Sequence, residues 1–519
     1  MLRCLNDFKL LIDTNVVIGL EDAQPVQASL AELVRLSAEH GVGLFVDGAN
    51  YDDVARDKDE KRRAVTTSKL AKFRQLRDVP LPDGTTLTAR YGPINSENDR
   101  SDVRFLAALE AKAVDFVVSQ DNGLHKRAEH AGLGAGVFTI EEALEWIKQL
   151  FGTKAVNLPY ITERKAYEID KAHLIFGSLR DDYPGFDKWF DKCKREHRQC
   201  WVLELDGDIA GITIRKDETH AEAGTKHVGS KILKICTFKV RDEFQGEKFG
   251  ELLLKQVLWF AQHNKYDLAY VTVFSKQAFL INLFSYYGFE HTKTRSNGDE
   301  LMLEKIFANG PLSNISENAF DFDRKHYPRF FDGSLVRKFC IPIRPDYHRR
   351  LFPEIAFEAE LPLFPTMTFG PMLAHGPART PGNTIRKVYL CRSNNTRLRQ
   401  GDMLLFYMSK DQRYAASQSI TTAGVVEQVS NVTVAEELIR KTAKRSVFSA
   451  EDLIRMQPSG LSPVKMIDFL LVGHSYPSVS LETLISTRIF SGRPPQSIAE
   501  LSQEQYAALK PLLHLGFEI

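Results

Sequence analysis

The chain has 519 residues, of which 68 are Lys or Arg and 67 are Asp or Glu, and its formal net charge is +1. At roughly 100–200 residues per domain, this length predicts about three domains, and the balanced charge means that any nucleic-acid-binding surface must be local. Six cysteines without a CxxC pair argue against a disulfide framework or a zinc site and favour a cytoplasmic location. No run of about 18 apolar residues occurs, so we expect neither a membrane span nor a membrane partner.

The first block of the chain alternates short apolar runs with helical patterns, which is typical of an α/β fold. One apolar run, 8–12, leads into Asp13, and another, 116–118, is followed closely by Asp121. Asp102 opens an apolar-rich helical segment between them. If the two strands pair in parallel, their carboxyl ends lie side by side, at the edge where open α/β sheets bind ligands. Carboxylates that converge there repel one another, and a hard divalent cation such as Mg²⁺ or Mn²⁺ removes that conflict.

The sequences around these acids resemble the signature blocks of PIN-domain ribonucleases. The blocks are LIDTN at 11–15, SDV at 101–103 and VSQDN at 118–122, and the resemblance covers residues 5–150. It implies a Rossmann-like sheet, a site for Mg²⁺ or Mn²⁺, and hydrolysis of single-stranded or structured RNA by a metal-bound water. The acids that the resemblance assigns to catalysis are Asp13, Asp53, Asp102 and Asp121. The candidate metal ligands are Asp13, Asp52, Asp53, Asp99, Asp102 and Asp121.

Alternatives remain open for several residues of this block. Asp52 and Asp53 are adjacent, and either can supply the second acid of the site. Asp13 and Asp102 can instead act only as helix caps, a role that Asp readily takes. The basic segment 56–77 is either a solvated helix face or an arm that contacts phosphates. The RNA contacts predicted beside the acids are Lys126 and Arg127.

Composition also indicates where the domains end. Residues 308–314 are polar and contain Gly and Pro, which is a boundary signal. Eight prolines fall within 340–384, a density that prevents long regular elements and predicts a segment that wraps over its neighbours. The predicted division is a nuclease-like domain at 1–152, a second domain at 160–307, a Pro-rich wrapping segment at 308–384 and a third domain at 385–519.

The second block contains a strand at 234–240 that leads through a glycine-containing turn into a helix at 251–262. A helix N-terminus presents backbone N–H groups and the positive end of the helix dipole, which together bind phosphate. The turn, QGEKFG at 245–250, resembles the acyl-CoA loop of the GNAT acetyltransferase family. It departs from the family's pattern at Lys248, which stands where the first glycine is usual. The cofactor contacts predicted from the resemblance are Phe238, Val240, Gln245, Gly246, Lys248, Phe249 and Gly250.

The GNAT resemblance implies direct transfer of an acetyl group from acetyl-CoA to an amine, with a Tyr that protonates the leaving thiolate. The position where the family commonly has that Tyr is Phe284 here, and Tyr286 and Tyr287 are close to it in sequence. The departures at Lys248 and Phe284 leave open a fold that binds acetyl-CoA without fast catalysis, or one that binds it poorly or not at all. The sequence does not choose among a protein amine, an aminoacyl-tRNA and a small amine as the acceptor.

The third block interleaves basic and aromatic residues over 386–430. Basic groups contact phosphates, and aromatic side chains stack on exposed bases. The strand–turn–strand pattern around RQGD at 399–402 resembles the PUA-like barrels of the ASCH and EVE branches, which implies a C-terminal β-barrel that binds RNA or modified bases. Alternatively, the aromatic residues fill a small barrel core and the arginines are its solvated surface. The predicted RNA contacts are Arg392, Arg397 and Arg399.

The sequence therefore predicts a multidomain protein of α/β and α+β parts: a Rossmann-like PIN domain, a GNAT acetyltransferase fold and a C-terminal PUA-like β-barrel. We expect a cytoplasmic, metal-dependent endoribonuclease with an acetyl-CoA-binding module. Its substrate would be structured RNA such as tRNA, in a toxin-like, stress or defence role that an inhibitory partner protein would restrain. One alternative is an N-acetyltransferase that its flanking domains deliver to an RNA or ribonucleoprotein target. The other is a nucleic-acid-binding regulator with both catalytic modules silent.

Overall fold

The computed structural model describes residues 8–18, 26–76, 79, 81, 84–151, 160–205, 207–241, 244, 248–295, 299–310, 312, 318–355, 380–381, 384–411, 417–443, 448 and 450–517. The chain divides into two compact units, each built from separate stretches of sequence. Unit 1 contains Met1–Ala155, Asp242–Glu247 and Val432–Pro463, and unit 2 contains Val156–Arg241, Lys248–Asn431 and Val464–Ile519. Most of the second and third predicted domains therefore lies within one unit, whereas 242–247 and 432–463 group with unit 1.

The regular elements follow in chain order. The strands are β1 (Lys9–Ile12), β2 (Gly43–Val46), β3 (Arg74–Gln75), β4 (Phe116–Val118), β5 (Val137–Phe138), β6 (Tyr160–Lys165), β7 (Gln199–Leu205), β8 (Asp208–Glu218), β9 (Ile232–Val240), β10 (Leu268–Phe274), β11 (Glu290–Thr294), β12 (Glu300–Ile306), β13 (Lys338–Ile343), β14 (Thr380–Pro381), β15 (Arg386–Cys391), β16 (Met403–Met408), β17 (Ser419–Val432), β18 (Val464–Ser480) and β19 (Ala499–Leu501). The α-helices are α1 (Thr14–Ile18), α2 (Val26–His40), α3 (Gly48–Ala55), α4 (Glu60–Leu70), α5 (Gly84–Tyr91), α6 (Glu97–Glu110), α7 (Asn122–His130), α8 (Ile140–Phe151), α9 (Gly177–Asp182), α10 (Phe186–Arg195), α11 (His220–Ala223), α12 (Phe249–His263), α13 (Ala278–Tyr286), α14 (Ala319–His326), α15 (Pro345–Leu351), α16 (Ala435–Thr442), α17 (Ala450–Arg455), α18 (Leu481–Ser486) and α19 (Gln503–Leu509).

Unit 1 is organised around a sheet of five strands in the order β3-β2-β1-β4-β5. Every neighbouring pair in this sheet is parallel. β1 and β4 are direct neighbours, with Ile12 opposite Val118, so the predicted side-by-side arrangement of these two strand ends is confirmed. The residues that follow the two strands therefore meet at the carboxyl edge of the sheet, where ligands bind in folds of this kind.

An aromatic cluster on this sheet forms part of the core of unit 1. Phe116 of β4 stacks on Phe138 of β5 with 4.5 Å between ring centroids, and Trp146 of α8 lies 4.7 Å from Phe116 and 5.3 Å from Phe8. All four side chains are buried. Such aromatic pairs add about 0.5–1.5 kcal/mol each beyond the burial of their area, so they fix α8 against the strands.

A segment from late in the sequence also belongs to unit 1. Helices α16 and α17 lie between strands β17 and β18 in the chain, yet residues 432–463 group with the N-terminal residues. Arg440 of α16 forms an ion pair with Asp115, which precedes β4, with 2.7 Å between Nη1 and Oδ1. Unit 1 is thus completed by an excursion from the C-terminal part of the chain.

The larger sheet of unit 2 has eight strands in the order β11-β12-β10-β9-β8-β7-β6-β14. The strands pair antiparallel, except that β9 and β10 are parallel neighbours. One face of this sheet packs against α10, where Phe190 and Cys193 are buried with Ile212 and Ile214 of β8. The one parallel junction is the point that matters for the site described below.

The second sheet of unit 2 has six strands in the order β15-β18-β17-β16-β13-β19. β13 pairs with β16 and β19, so the segment 308–384 that the sequence predicted as a wrapping linker contributes an interior strand. Proline density misled that prediction because most of the prolines come after β13 ends. Pro345 stands in the first turn of α15, a position that suits its fixed φ. Closure of the six strands into the predicted barrel stays a prediction.

Helix α12 contacts both the eight-stranded sheet and residues that follow β12 in the sequence of unit 2. Every residue from Leu252 to Gln262 is buried, which is the pattern of a helix covered on all sides. On one side Phe260 meets Trp201 of β7 with 5.0 Å between ring centroids. On another side Trp259 Nε1 donates a hydrogen bond of 2.8 Å to the Tyr327 hydroxyl. No helix within the described ranges is long and apolar enough to cross a membrane.

Candidate active sites

The parallel strands β9 and β10 separate toward their carboxyl ends. Their pairing covers four positions, the last being Ile235 opposite Val271. Beyond that point β9 runs on to Val240 paired with β8, and β10 runs on to Phe274 paired with β12. All residues of both strands are described, so a wedge opens between the two carboxyl ends. Backbone groups that face such a wedge need other partners, and an extended ligand with amide groups can supply them.

A β-bulge lies at the narrow end of this wedge. Against β8, Thr237 pairs with Ile214 and Ile235 pairs with Arg215, so Cys236 is an extra residue on β9. A bulge leaves the extra residue out of the regular ladder and is common beside active sites. Phe238 and Val240, two of the predicted cofactor contacts, follow the bulge and are half-buried.

The N-terminus of α12 follows β9. Its N-cap is Lys248, with φ 59° and ψ 18°, and the side chain of this residue does not cap the helix. This left-handed conformation costs a residue with a Cβ about 1–2 kcal/mol, whereas glycine adopts it freely. Lys248 therefore has a backbone conformation that a glycine would adopt here without strain. The predicted contacts Gln245 and Gly246 lie outside the described residues.

Gly250 lies where two neighbouring elements approach closely. A Cβ on this residue would be 3.3 Å from Leu283 Cδ2 of α13 and 3.8 Å from Phe238 Cε1 of β9. Even a methyl group would thus be tight against Leu283, and a large side chain has no room without moving α13. The start of α12, the end of β9 and helix α13 therefore meet at the open end of the wedge.

The position predicted for a proton donor carries the hydrophobic side chain Phe284. Its ring lies 5.1 Å from that of Phe238 and is fully buried, so it packs against the β9 side of the wedge. The neighbouring tyrosines do not replace it. The Tyr286 hydroxyl donates to Glu427 Oε1 at 3.1 Å, and the Tyr287 hydroxyl is buried without a partner among the described residues. Burial holds the pKa of Tyr287 well above its usual range.

A hydroxyl that the sequence analysis missed lies at the carboxyl end of β10. Tyr183, between α9 and α10, stacks on Phe274 with 4.8 Å between ring centroids. Burial, with the charges of Glu300 and Asp182, raises the pKa of Tyr183 to about 12, so this hydroxyl keeps its proton at neutral pH. No motif or spacing marked Tyr183, because only the fold brings it next to the last residue of β10.

At the edge of the unit 1 sheet, Asp13 is held by side chains from both central strand ends. Its Oδ2 accepts hydrogen bonds from Ser119 Oγ at 2.6 Å and from Asn15 Nδ2 at 2.7 Å. Ser119 Oγ also accepts from the backbone N–H of Asp121 at 3.0 Å. Burial raises the pKa of Asp13 to about 6 against the opposing hydrogen bond from Ser119, and the charges of Asp53 and Asp121 add to the increase.

Of the adjacent acids in α3, Asp53 is the one that faces this cluster. It accepts hydrogen bonds from Thr14 Oγ1 at 3.0 Å and from Ser101 Oγ at 2.6 Å, and it forms an ion pair with Arg56. Asp52 is exposed. Because neighbouring residues of a helix point in different directions, the orientation of α3 distinguishes Asp52 from Asp53, which the sequence left equivalent.

Asp102 is the most strongly perturbed acid of the cluster. It is buried in α6, and burial, followed by the charges of Asp121 and Asp13, raises its pKa to about 8. Arg127 only partly offsets this, since its Nε lies 3.9 Å from Asp102 Oδ2. Asp121 itself is exposed and caps α7 by accepting from the Gly123 N–H at 2.7 Å.

Two of the predicted site residues, Asp99 and Arg127, make structural contacts within unit 1. Asp99 completes the capping box of α6 with Ser96, and its Oδ1 accepts from Arg127 Nη2 at 2.8 Å. Arg127 Nη1 also donates to the Tyr91 carbonyl at 2.9 Å. Arg127 therefore ties α7 to the segment before α6, whereas Lys126 is exposed.

The acids around the sheet edge have the oxygen atoms that a divalent metal ion prefers as ligands, but the described positions of these acids do not form a metal site. Oxygen donors are the ligands that Mg²⁺ and Mn²⁺ prefer, and raised pKa values are those of carboxylates that lack a neutralising cation. Nevertheless, in the part of the chain that the structure describes, no group of three or more His, Cys, Asp or Glu side chains is placed to hold a metal ion. The metal site therefore stays a prediction.

The basic residues of the third block separate into exposed and buried ones. Arg392, Arg397 and Arg399 are exposed, and Arg397 forms an ion pair with Glu500 at 2.9 Å. Lys387 is only 2% exposed and lies in the interior. The aromatic side chains of β16 are buried as well, as the alternative interpretation of this block expected.

Residues 164–289 match the acetyltransferase (GNAT) family, so the chain contains a GNAT acetyltransferase domain. The wedge, the bulge and the start of α12 all fall within this stretch. A comparison with curated proteins found no match to the chain.

Solved structures resemble parts of the chain at low identity. A GNAT family acetyltransferase from Elizabethkingia anophelis with acetyl-CoA bound has 17% identity, with 29% of this chain and 99% of that chain covered and a TM-score of 0.22. ASCH from Zymomonas mobilis has 14% identity, with 34% of this chain and 95% of that chain covered and a TM-score of 0.24. The IAA acetyltransferase from Bacillus cereus ATCC 14579 has 15% identity, with 28% of this chain and 97% of that chain covered and a TM-score of 0.22. The nuclease interpretation of unit 1 stays a prediction.

Proposed function

We propose that unit 2 is an acetyl-CoA-dependent N-acetyltransferase. The observation that carries the proposal is the wedge between β9 and β10, which opens beside the N-terminus of α12 inside the stretch that matches the GNAT family. A helix N-terminus is an anion site, and separated parallel strands offer backbone groups to an extended ligand. The acceptor is an amine whose identity stays open.

Acetyl-CoA, when bound, supplies an activated thioester. Backbone N–H groups at the start of α12 would hold its diphosphate, and the small Gly250 leaves the helix start free of a side chain. The carboxyl ends of β9 and β10 would pair with the amides of the pantetheine arm. The acceptor nitrogen attacks the thioester carbonyl carbon, the C–S bond breaks, and the amine proton is lost while the thiolate gains one. Tyr183, which keeps its proton at neutral pH, is our candidate for the hydroxyl that contacts the reacting groups.

Calorimetry with acetyl-CoA tests this proposal directly. Gly250→Trp should abolish measurable binding, because the indole would have to occupy the space between Leu283 and Phe238. Gly310→Trp is the matched control, since a Cβ at Gly310 meets no atom within 4 Å. Binding by the wild type that Gly250→Trp leaves unchanged would contradict the assigned site.

We also propose that unit 1 is a metal-dependent endoribonuclease. This proposal is favoured by the raised pKa values of Asp13 and Asp102 at the carboxyl edge of a parallel sheet, since acids with perturbed pKa values cluster at functional sites. Binding of Mg²⁺ or Mn²⁺ would have to draw the carboxylates closer together than they lie here. Structured RNA such as tRNA is the proposed substrate. The toxin-like or defence role and an inhibitory partner protein belong to the same proposal.

The adjacent acids of α3 give a sharp test of the nuclease. Purified protein is incubated with total RNA and Mn²⁺, with and without EDTA, and new RNA ends are sequenced. Asp53→Asn should remove metal-dependent cuts, because Asp53 faces the cluster, whereas Asp52→Asn should retain them, because Asp52 is exposed. Cuts that persist in Asp53→Asn, or that need no metal, would contradict the proposal.

RNA binding by the third block is tested separately. Arg397→Glu with Arg399→Glu should weaken RNA binding and reduce its dependence on salt, because exposed cations release counterions from the phosphate backbone. Arg35→Glu is the control, since Arg35 is an exposed arginine of α2. Equal affinity in all three proteins would favour the interpretation of Arg397 and Arg399 as ordinary solvated surface.

A further inference from the structure

One face of α12 is covered by residues from outside the GNAT match. Four side chains at four-residue spacing form this face: Glu251, Lys255, Trp259 and His263. Each makes a hydrogen bond with a residue later in unit 2, in the same order Arg386, Glu354, Tyr327 and Gly516. The helix that begins at the proposed diphosphate site is therefore fixed along its length by the C-terminal part of the unit.

Arg386 is the contact at the first turn of this helix. Its backbone N–H donates to Glu251 Oε1 at 2.7 Å. Its guanidinium forms an ion pair with Glu427 of β17, where Nε donates to Oε2 at 3.1 Å. Glu427 Oε1 also accepts from the Tyr286 hydroxyl at 3.1 Å. One arginine thus connects the first turn of α12 to the last residue of α13.

Tyr286 is held from both sides. The Arg386 guanidinium carbon lies 4.8 Å from the centroid of the Tyr286 ring, and that of Arg324 lies 5.0 Å from it. Arg324 Nη1 also donates to the Tyr286 carbonyl at 2.7 Å. Stacked, bidentate arginine contacts of this kind are geometrically demanding, and lysine cannot reproduce them. The end of α13 is therefore tied to a defined position.

The two helices that Arg386 connects are the two that border the open end of the wedge. Gly250 of α12 approaches Leu283 of α13, and Phe284 of α13 packs on Phe238 of β9. We infer that Arg386 is a positioning residue for acetyl-CoA binding, contributed from outside the GNAT match. It fixes the spacing of α12 and α13 so that the wedge is ready for the cofactor without further ordering. The inference depends on the proposed acetyltransferase function of the same site.

The test compares a variant that removes the side-chain contacts of Arg386 with one that removes a buried partner of α12. Arg386→Met removes the guanidinium contacts to Glu427 and to the Tyr286 ring at the end of α13. It keeps the backbone N–H that donates to Glu251. Glu354→Gln removes the charge of the buried partner of Lys255, one turn further along α12. Acetyl-CoA affinity is measured by calorimetry at a temperature where melting curves show every variant folded. Arg386→Met should weaken acetyl-CoA binding about tenfold, which lies within the usual range of coupling between sites. Glu354→Gln should change it far less, even where its loss of stability is as large.

Tyr286→Phe gives the second variant and keeps the inference testable if Arg386→Met fails to fold. It removes the hydroxyl that donates to Glu427 and leaves the ring in place, so a smaller loss of acetyl-CoA affinity is expected. If the wild type binds acetyl-CoA and the variants at Arg386 and Tyr286 bind it with the same affinity, the inference is wrong while the proposed function stands. Equal weakening by Glu354→Gln also overturns it, because the effect would then be one of general stability. No binding by the wild type overturns the proposed function and the inference with it.

Discussion

Two groups of buried ionisable side chains in this protein have opposite electrostatics. At the sheet edge of unit 1, Asp13 and Asp102 lie near other acids, and their pKa values rise to about 6 and about 8. In unit 2, burial alone would raise the pKa of Glu354, but the charges of Lys255 and Lys387 lower it to about 2. Lys255 Nζ lies 2.8 Å from Glu354 Oε1, and both side chains are 1% exposed.

The difference separates a structural arrangement from one that costs stability. Opposite charges removed from water hold each other in place, and the loss of either partner leaves an uncompensated buried charge. Like charges removed from water instead oppose folding until a proton or a metal cation neutralises them. A protein that keeps such a cluster departs from local optimisation, and departures of this kind concentrate at functional sites. The comparison therefore favours function in unit 1 and support for α12 in unit 2.

The largest expected effect comes from breaking the paired group. Glu354→Gln should lower the free energy of unfolding by about 3–5 kcal/mol, because Lys255 and Lys387 then remain buried without their counter-charge. Glu500→Gln, which removes the partner of the exposed Arg397, should cost less than about 1 kcal/mol. Urea denaturation of both variants measures the difference. Similar losses would show that burial does not distinguish the two ion pairs.

A second prediction concerns the pH dependence of unit 1 without metal. The pKa of Asp102 is raised to about 8 in the folded protein, so between about pH 4 and pH 8 the folded state binds a proton that the unfolded state has lost. The contribution of Asp102 to stability is therefore largest below about pH 4 and is lost as pH rises through this window, by at most about 1.4 kcal/mol per pH unit. Hydrogen exchange of β1 and β4 reports the stability of unit 1.

The matched variant for this prediction is Asp102→Asn, which removes the titrating group and keeps its shape. Its unit 1 should lose less stability between pH 5 and pH 8 than that of the wild type. Mn²⁺ should restore protection to the wild type at pH 8 if the acids bind it. Identical pH slopes in the two proteins would contradict the assignment of the burial cost to Asp102.

The smallest expected effect extends the comparison from charge to backbone strain. Lys248 and Lys265, which flank α12, have φ angles of 59° and 54°. Lys248→Gly and Lys265→Gly should each raise the free energy of unfolding by about 0.5–1 kcal/mol, because glycine adopts this conformation without strain. Lys248→Gly should also retain acetyl-CoA binding. Destabilisation by Lys248→Gly alone would show that this lysine side chain makes contacts worth more than the strain.

The sequence predicted those elements whose signals lie in consecutive residues, namely apolar strands and a strand–turn–helix unit. Apolar runs predicted the strands β1 and β4, and the strand–turn–helix signal predicted β9 before α12. Parallel pairing of β1 with β4 was a condition of the predicted site, and the structure meets it. Proximity of Arg386 to Arg397 in a basic stretch gave no hint that one connects two helices and the other is solvated. That difference follows from where the two residues lie: Arg386 opens β15 and pairs with Leu470 of β18, whereas Arg397 lies in the loop between β15 and β16. The partnership of Tyr183 with Phe274 likewise exists only in the folded chain.

The excursion formed by α16 and α17 has a consequence for how the chain reaches its final form. Unit 1 takes its last segment from residues 432–463, and the chain then returns to unit 2 at Val464. During synthesis from the N-terminus, unit 1 therefore cannot be complete until residue 463 has left the ribosome, by which time most of unit 2 has already emerged. For the same reason a single proteolytic cut cannot release either unit, because several covalent crossings join them.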